Sequence, residues 1–544
     1  MSHFAAIWSS QPSSVQPQRE SNRFLAWLRS DNALLWLLAL VKLMLHLLTN
    51  GQYGYQVDEL YYMAAADHLD WGYAEFPPLI AVVAHLSRSL TGDSLFSIRF
   101  LPAIAGALLV VVTGLMTREL KGGRFAQFLA ALLVVISPYF MAMHTLLTMN
   151  AFEPLIWMVA VYFMLLSLKA DRPRLWLLIG LVIGIGLLNK FSMLFFGFSS
   201  LAGLWISQRR VFSKKWIWLG AGLAALLVIP TLLWQAHHGW PFLDQQKAAN
   251  LYSKKPFPAA IVDLLVQPIL MMHPLALPVW LAGLYFYLGS KDGKPYRLFG
   301  WIAVITYGLF LLLQGKSYYL APLFPMLFAG GAIVVEQWVG RKRRLKLAIP
   351  LILVASTVVM IPMTLPVLPI ETLLQISSYY SSVYSLPDRS SAALTRQEAP
   401  WHFKAMLGWE DTVAQVSRVY HQLPPNERAK TAILSWEYGD AGAIDLYGPR
   451  YGLPKGISGA HTFYFWGPRD YSGQQVISLG GDALYLSRLF QQVDQVHMVN
   501  HDQVPGIQST IPIYLCKGIK TPLPQGWPGF QAFFGYPFAP VAKS

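Results

Sequence analysis

The chain carries a long series of apolar runs divided by short polar segments, and the length of those runs limits what it can fold into. They centre near 33–48, 100–117, 126–142, 154–168, 175–188, 191–207, 216–234, 274–289, 298–313, 319–338 and 347–366. A helix crossing a bilayer needs about 20 apolar residues, and several runs approach that length. The pattern predicts a polytopic α-helical membrane protein with about eleven spans, in a range of about nine to thirteen because the shorter runs are ambiguous. Composition agrees. Only 13% of residues are charged and 54% are apolar, whereas soluble domains carry about 25% charged residues. Disordered, coiled-coil, collagen-like and disulfide-stapled secreted chains are excluded. The single cysteine, Cys516, allows no intramolecular disulfide and no thiolate cluster.

The formal net charge of +14 does not point to nucleic acid, because much of it sits in clusters between apolar runs. One set of loops holds Arg118, Lys121 and Arg124, then Lys169, Arg172 and Arg174, then Arg209, Arg210, Lys214 and Lys215. The set continues with Lys291, Lys294 and Arg297 and ends with Arg341 to Arg344 and Lys346. The outer candidate, 51–98, holds Asp58, Glu59, Asp67, Asp70, Glu75 and Asp93 against Arg88 alone. The positive-inside rule makes residues 1–31 a cytoplasmic tail and puts loop 51–98 outside. No small-residue cleavage site follows the first run, which reads as an uncleaved anchor.

The apolar runs stop at Pro366. Residues 367–544 read as a soluble α/β domain on the outer side. Strands are expected at 431–436, 461–466, 484–487, 495–499 and 511–516, and helices at 409–422 and 440–447.

Loop 51–98 is the most informative segment. Asp58 and Glu59 stand shortly beyond the first span, and Asp58 to Asp67 fits a short surface helix with Leu60, Met63 and Ala64 on its apolar side. A carboxylate at a low-dielectric boundary loses hydration, gains proton affinity and can act as a base. An ordinary solvated acidic loop accounts for the same residues. Segment 235–259, with Trp240 and Phe242, is amphipathic and reads either as a lid at the interface or as an interfacial loop without a catalytic part. Lys42 and His46 share one face of the first span and receive no role. No Walker or dinucleotide glycine motif is present.

The order Val57-Asp58-Glu59-Leu60-Tyr61-Tyr62, then Tyr73-Ala74-Glu75-Phe76-Pro77-Pro78, resembles the first outer loop of the polyprenyl-phosphate-sugar-dependent glycosyltransferases. These are GT-C-fold enzymes, related to protein O-mannosyltransferases and to the aminoarabinose transferases of lipid A. Thr148-Met149-Asn150-Ala151-Phe152-Glu153-Pro154 resembles their second outer-loop motif, and Leu188-Asn189-Lys190-Phe191 the Asn-Lys motif between middle spans. Gly315-Lys316-Ser317-Tyr318-Tyr319 resembles the late outer loop, and Glu437-Tyr438-Gly439-Asp440 through Gly448-Pro449-Arg450 the soluble domain of bacterial members.

The resemblance implies a GT-C transferase in a bacterial inner membrane. It would move a monosaccharide from polyprenyl (undecaprenyl) phosphate to an outer-face acceptor, whether lipid A, envelope glycan or protein, with inversion. It makes Asp58 the general base, with Glu59 supporting Asp58 or positioning the acceptor. Tyr61, Tyr62, Tyr73, Asn150, Glu153 and Asn189 become substrate-binding candidates. A lipid phosphate leaves with growing charge, so cations aimed at it are expected. Lys190 and Lys316 fall at outer ends of spans, with Tyr318 and Tyr319 beside the latter. Snorkelling lysines and interfacial tyrosines would look the same. Glu75 and His273 resemble positions that hold a divalent metal ion in the lipid A enzyme, though two ligands are too few for a closed zinc site.

Two positions depart from the aminoarabinose-transferase pattern. Phe76 stands where those enzymes have Lys, and Asn150 where they present an acidic residue, with Glu153 about one turn away. A transporter or flippase of a lipid-linked or small envelope substrate is the competing reading. It should show paired, broken spans in two related halves, and no such repeat is visible in the sequence.

Overall fold

The structure is a computed structural model, and it describes residues 31–253, 256–383, 401–502, 504–507 and 509–533. The N-terminal tail lies outside these residues except for Asp31, as do positions 384–400 and 534–544 of the expected outer domain.

Seven described helices are long and apolar enough to cross a membrane: Asn32–Thr49, Leu95–Glu119, Met149–Lys169, Lys215–His237, Lys294–Leu312, Ser317–Val339 and Arg343–Met363. Phe257–Met271 and Pro274–Leu288 meet at a 97° bend and add an eighth if taken as one span. The expectation of about eleven also included shorter apolar runs. Three expected spans are short helices, Arg124–Ile136, Leu175–Asn189 and Met193–Ser207. Fifteen residues rise only about 22 Å, less than the roughly 30 Å hydrocarbon core.

The run 126–142 is broken by Ser137-Pro138, where Arg124–Ile136 ends and Pro138–Met143 begins. Proline cannot donate into the ladder. On either side of the break, the buried Lys42 Nζ donates to the carbonyls of Val135 (3.5 Å) and Phe140 (3.0 Å). His46, on the same face, meets Thr145 Oγ1 through Nδ1 at 3.1 Å.

The five basic clusters gather at one end of the bundle. Arg118 donates to Asn32, Lys169 pairs with Glu119 at 2.8 Å, and Lys214 pairs with Asp171. Glu336 accepts from the backbone N–H groups of Gly123, Phe125 and Ala126, and Lys346 lies over the Phe125 ring. Gln337 reaches Asp292. Arg99 and Arg118 lie near opposite ends of Leu95–Glu119, about 28 Å apart along the axis. The end that carries Arg99 is the end that carries Asp58.

Beyond the bundle stands an α/β unit with a five-stranded sheet in the order β2-β1-β3-β5-β4. The strands are β1 (Thr431–Ser435), β2 (Ile457–Ser458), β3 (Gln475–Leu479), β4 (Phe490–Val499) and β5 (Ile511–Ile519). β1 pairs parallel with β2 and β3, and β5 lies antiparallel between β3 and β4. β1 is buried at every residue, as expected for a strand covered on both faces. The helix Trp409–Gln422 matches its expected bounds and buries Val413, Val416 and Tyr420 on the core with Ile433, Ile477 and Ile513.

Two expected strands are instead helical. Residues 461–466 turn into the short helix Phe463–Trp466, and 484–487 lie in Ala483–Leu489, capped by the Asp482 side chain accepting from the Tyr485 N–H at 2.8 Å. Short apolar runs do not separate strand from helix; the Asp cap does.

The helix Val57–Ala66 joins the bundle to this unit. Its Leu60 belongs to the same buried core as Val413, Ile433 and Ile477. It packs on the helix Tyr438–Tyr447, whose Gly439 and Gly442 face Val57 and Leu60; a Cβ on Gly442 would come within 3.0 Å of the Leu60 backbone. Small residues three apart let the helices meet closely.

Candidate functional site

Helix Val57–Ala66 begins with a capping box: the Gln56 side chain accepts from Asp58 N–H and Glu59 accepts from Gln56 N–H. Glu59 is then fully engaged. Its carboxylate takes Arg99 Nε at 2.9 Å and Nη2 at 2.7 Å, and the Leu147 N–H at 2.8 Å, with both charged side chains completely buried. Arg99 also donates to the carbonyls of Asn50 (2.8 Å) and Gly54 (2.7 Å). Glu59 therefore serves to hold the backbone that presents Asp58. Its carboxylate is not available to an acceptor.

Asp58 accepts a hydrogen bond from the Tyr438 hydroxyl at 2.9 Å through Oδ1. Burial pushes its carboxyl above the usual range; the Tyr438 bond pulls the other way, and Glu75 adds to the rise. Glu75 Oε1 lies 3.2 Å from His461 Nδ1, while its Oε2 is buried without a hydrogen bond from the described residues. Burial alone would lower the His461 pKa, but the carboxylates of Glu75, Glu437 and Asp58 together outweigh it and the net shift is upward. Tyr61 accepts from the Thr462 N–H at 2.8 Å, and Thr462 Oγ1 accepts from the Ala74 N–H at 3.0 Å. Tyr438, His461 and Thr462 all come from the C-terminal unit.

Tyr73 is buried and its hydroxyl donates toward the carbonyls of His68 (3.1 Å) and Ala65 (3.3 Å), so it ties the loop to the helix end. Tyr62 packs edge-on against Phe76 at 5.1 Å between ring centroids. Phe76, where the resemblance leads one to expect a cation, is a fully buried packing residue.

The second group assembles around Lys190. Its Nζ donates to Asn150 Oδ1 at 2.7 Å and Glu153 Oε2 at 3.0 Å. Ser192 donates to the other oxygen of Glu153. Asn189 Nδ2 holds the Met149 carbonyl at 3.0 Å. The Tyr319 and Tyr318 rings lie under the ammonium, with centroids 4.1 and 5.2 Å away. An ammonium has three N–H donors, so one remains. Lys316 is separate: it is exposed and forms no ion pair or hydrogen bond through its side chain among the described residues. The two groups are joined by segment 147–150: the Leu147 N–H binds Glu59 beside Asp58, and Asn150, three residues on, binds Lys190.

The expected metal pair has separate partners. His273 Nδ1 accepts from the Leu275 N–H at 3.2 Å and its Nε2 meets Ser356 Oγ at 3.2 Å, whereas Glu75 meets His461. Among the described residues no group of three His, Cys, Asp or Glu is arranged to hold a metal ion. The donors at Glu75 and His273 do not fit a bound divalent ion. The lid segment contains the helix Pro241–Ser253, and Phe242 stacks edge-on against Phe191, next to Lys190, at 4.5 Å; residues 254–255 lie outside the described ones.

Residues missed by sequence reasoning are Arg99, Tyr438 as a side-chain partner, and His461. Arg99 had a signal: an arginine at the start of an apolar run needs a buried partner, and the acidic loop precedes it. His461 had none, since only the fold brings it to Glu75.

A helical bundle with a carboxylate-bearing helix clasped by an α/β unit is the architecture of a polytopic membrane protein with its site at one membrane face. The sequence pattern of the dolichyl-phosphate-mannose-protein mannosyltransferase family matches residues 75–234. ArnT from Cupriavidus metallidurans bound to undecaprenyl phosphate aligns with a TM-score of 0.56 at 14% identity, covering 88% of this chain and 97% of that one. The apo state of the same protein aligns with a TM-score of 0.56 at 14% identity, covering 90% and 98%. No curated protein matches by sequence. The chain has a GT-C fold of the protein-mannosyltransferase and ArnT type.

Proposed function

We propose that this protein is a membrane glycosyltransferase that moves a monosaccharide from a polyprenyl phosphate, undecaprenyl phosphate in a bacterial inner membrane, to an outer-face acceptor. The observation that carries the reading is the joining of the Asp58 helix to the Lys190 group through segment 147–150, where the Leu147 N–H binds Glu59 and Asn150 binds Lys190. A base stands on one side and a cation on the other. The binding of undecaprenyl phosphate by ArnT, which shares the fold, supports the donor class.

In this reading Tyr438 fixes one oxygen of Asp58 and leaves the other for the acceptor hydroxyl. Asp58 takes the hydroxyl proton as the acceptor oxygen bonds to the anomeric carbon. The bond from that carbon to the phosphate oxygen breaks from the opposite face, so the centre inverts and the electron pair leaves on the lipid phosphate. The spare N–H of Lys190 is available to that growing charge. Arg99 and Glu59 keep the base in register.

The test is to incubate purified protein with labelled polyprenyl-phosphate sugars and candidate acceptors. Release of free lipid phosphate with sugar transfer is expected, and its loss in Asp58→Asn. A folded Asp58→Asn protein with normal transfer would remove the assignment.

A further inference from the structure

A cavity adjoins the site, with Tyr438 and Val57 in its wall. It has a volume of about 460 Å³, within the roughly 300–1,000 Å³ of ligand pockets. Trp409, Tyr438, Glu437, Asp440 and Lys404 line it, and Val57 forms the wall next to Asp58. The cavity thus borders on Tyr438, which holds Asp58, and on Val57, which precedes it.

Asp440 is the telling residue. It is 6% exposed, faces this cavity, and has no hydrogen bond or ion pair from the described residues. A buried carboxylate without donors is costly, so its position calls for donors brought from outside. The rim carries both signs: Glu437 and Asp440 stand with Lys404, and His501 is paired with Asp411 at 3.0 Å. An anionic ligand therefore finds no net attraction. Two aromatic rings, carboxylate acceptors and a mixed-charge rim suit a neutral polyhydroxylated molecule, whose C–H faces cover rings while its hydroxyls donate to carboxylates.

We infer that this cavity binds a neutral sugar unit of the acceptor, which it would hold beside Asp58. The inference rests on the proposed glycosyl transfer for its meaning, but sugar binding can be measured without transfer.

The full-length protein in lipid nanodiscs, free of glycoside detergents, would be titrated with maltose, lactose and N,N′-diacetylchitobiose by saturation-transfer NMR. At least one should bind saturably. Asp440→Asn, which keeps the side-chain volume, and Trp409→Ala should each weaken it by about tenfold or more, and Trp409→Phe should restore part of the loss. Lys190→Ala should leave disaccharide binding unchanged, and inorganic phosphate should not compete. Absence of saturable binding, binding indifferent to both Asp440→Asn and Trp409→Ala, or displacement by phosphate would each overturn the inference. If disaccharides fail to bind while lipid-linked sugars are turned over, the cavity assignment alone falls. If they bind as expected and no lipid-linked sugar is turned over, it is the transferase reading that falls.

Discussion

Tyr438 donates a hydrogen bond to Asp58 at 2.9 Å across 380 positions of sequence. The carboxylate at the start of helix Val57–Ala66 is therefore finished by the C-terminal unit, and Glu75 is met in the same way by His461 at 3.2 Å. The site is incomplete without both halves of the chain, which makes its proton affinity adjustable from either side.

That arrangement predicts opposite pH shifts. A base must be deprotonated to act, so the acid limb of kcat/KM rises through the pKa of Asp58. The Tyr438 bond lowers that pKa and Glu75 raises it. Tyr438→Phe should move the acid limb to higher pH, and Glu75→Gln to lower pH. Profiles measured on both variants check this, and shifts of the same sign would contradict it.

Arg99 and Glu59 should matter for stability before chemistry. Both are fully buried, and Arg99 also holds two loop carbonyls. Removing one partner leaves an uncompensated buried charge, at a cost of about 3–5 kcal/mol. Arg99→Ala should melt well below the parent protein in detergent. Arg99→Ala combined with Glu59→Gln should recover part of the loss, because the stranded carboxylate is gone. A double variant no better than the single one would argue against charge burial as the cause.

Much of the site was legible from residue order, and the reason it was incomplete is physical. Asp58 stands out because an acidic pair follows a span, and the Asn150, Glu153 and Lys190 positions because polar residues interrupt apolar runs. Local patterning also marks the helix Trp409–Gln422. It cannot tell which carboxylate stays available, since Asp58 and Glu59 are adjacent and only Arg99 settles that Glu59 is engaged. It cannot pair Glu75 with His461, because that contact spans two packed units. It leaves the span count open where apolar helices of 15 residues are shorter than a bilayer's hydrocarbon core.

The two lysines should separate cleanly. Lys190 is held by Asn150 and Glu153 over two tyrosine rings, with one N–H left, whereas Lys316 is exposed. A preorganised donor aimed at developing charge is worth about 10²–10³ in kcat, and an exposed, screened cation far less. Under the proposed reaction Lys190→Ala should lose about that factor, and Lys316→Ala should lose less than about tenfold. Single-turnover release of lipid phosphate is the measurement. A larger loss for Lys316→Ala would move the phosphate contact to the late loop.

Asp440 gives a stability prediction that does not depend on activity. Burial, and then the Glu437 charge, push its carboxyl from 3.8 to about 7 in the folded protein. The native state therefore binds more protons than the unfolded state between those values, and unfolding free energy falls as pH rises across that window. The stabilisation is fully present below pH about 4 and lost by passage through about 7, a total of about 3–5 kcal/mol at 1.36 kcal/mol per unit. Asp445, pushed up to about 6 mainly by burial, contributes with the same sign over a narrower range. Asp440→Asn should thus flatten the decline in melting temperature between pH 5 and 8 without abolishing it, and adding Asp445→Asn should flatten it further. Because the wild-type carboxylate is ionised and buried at high pH, the Asp440→Asn protein should be the more stable of the two at pH 8.5. A variant whose melting temperature follows the wild-type slope throughout would show that Asp440 does not carry the raised proton affinity.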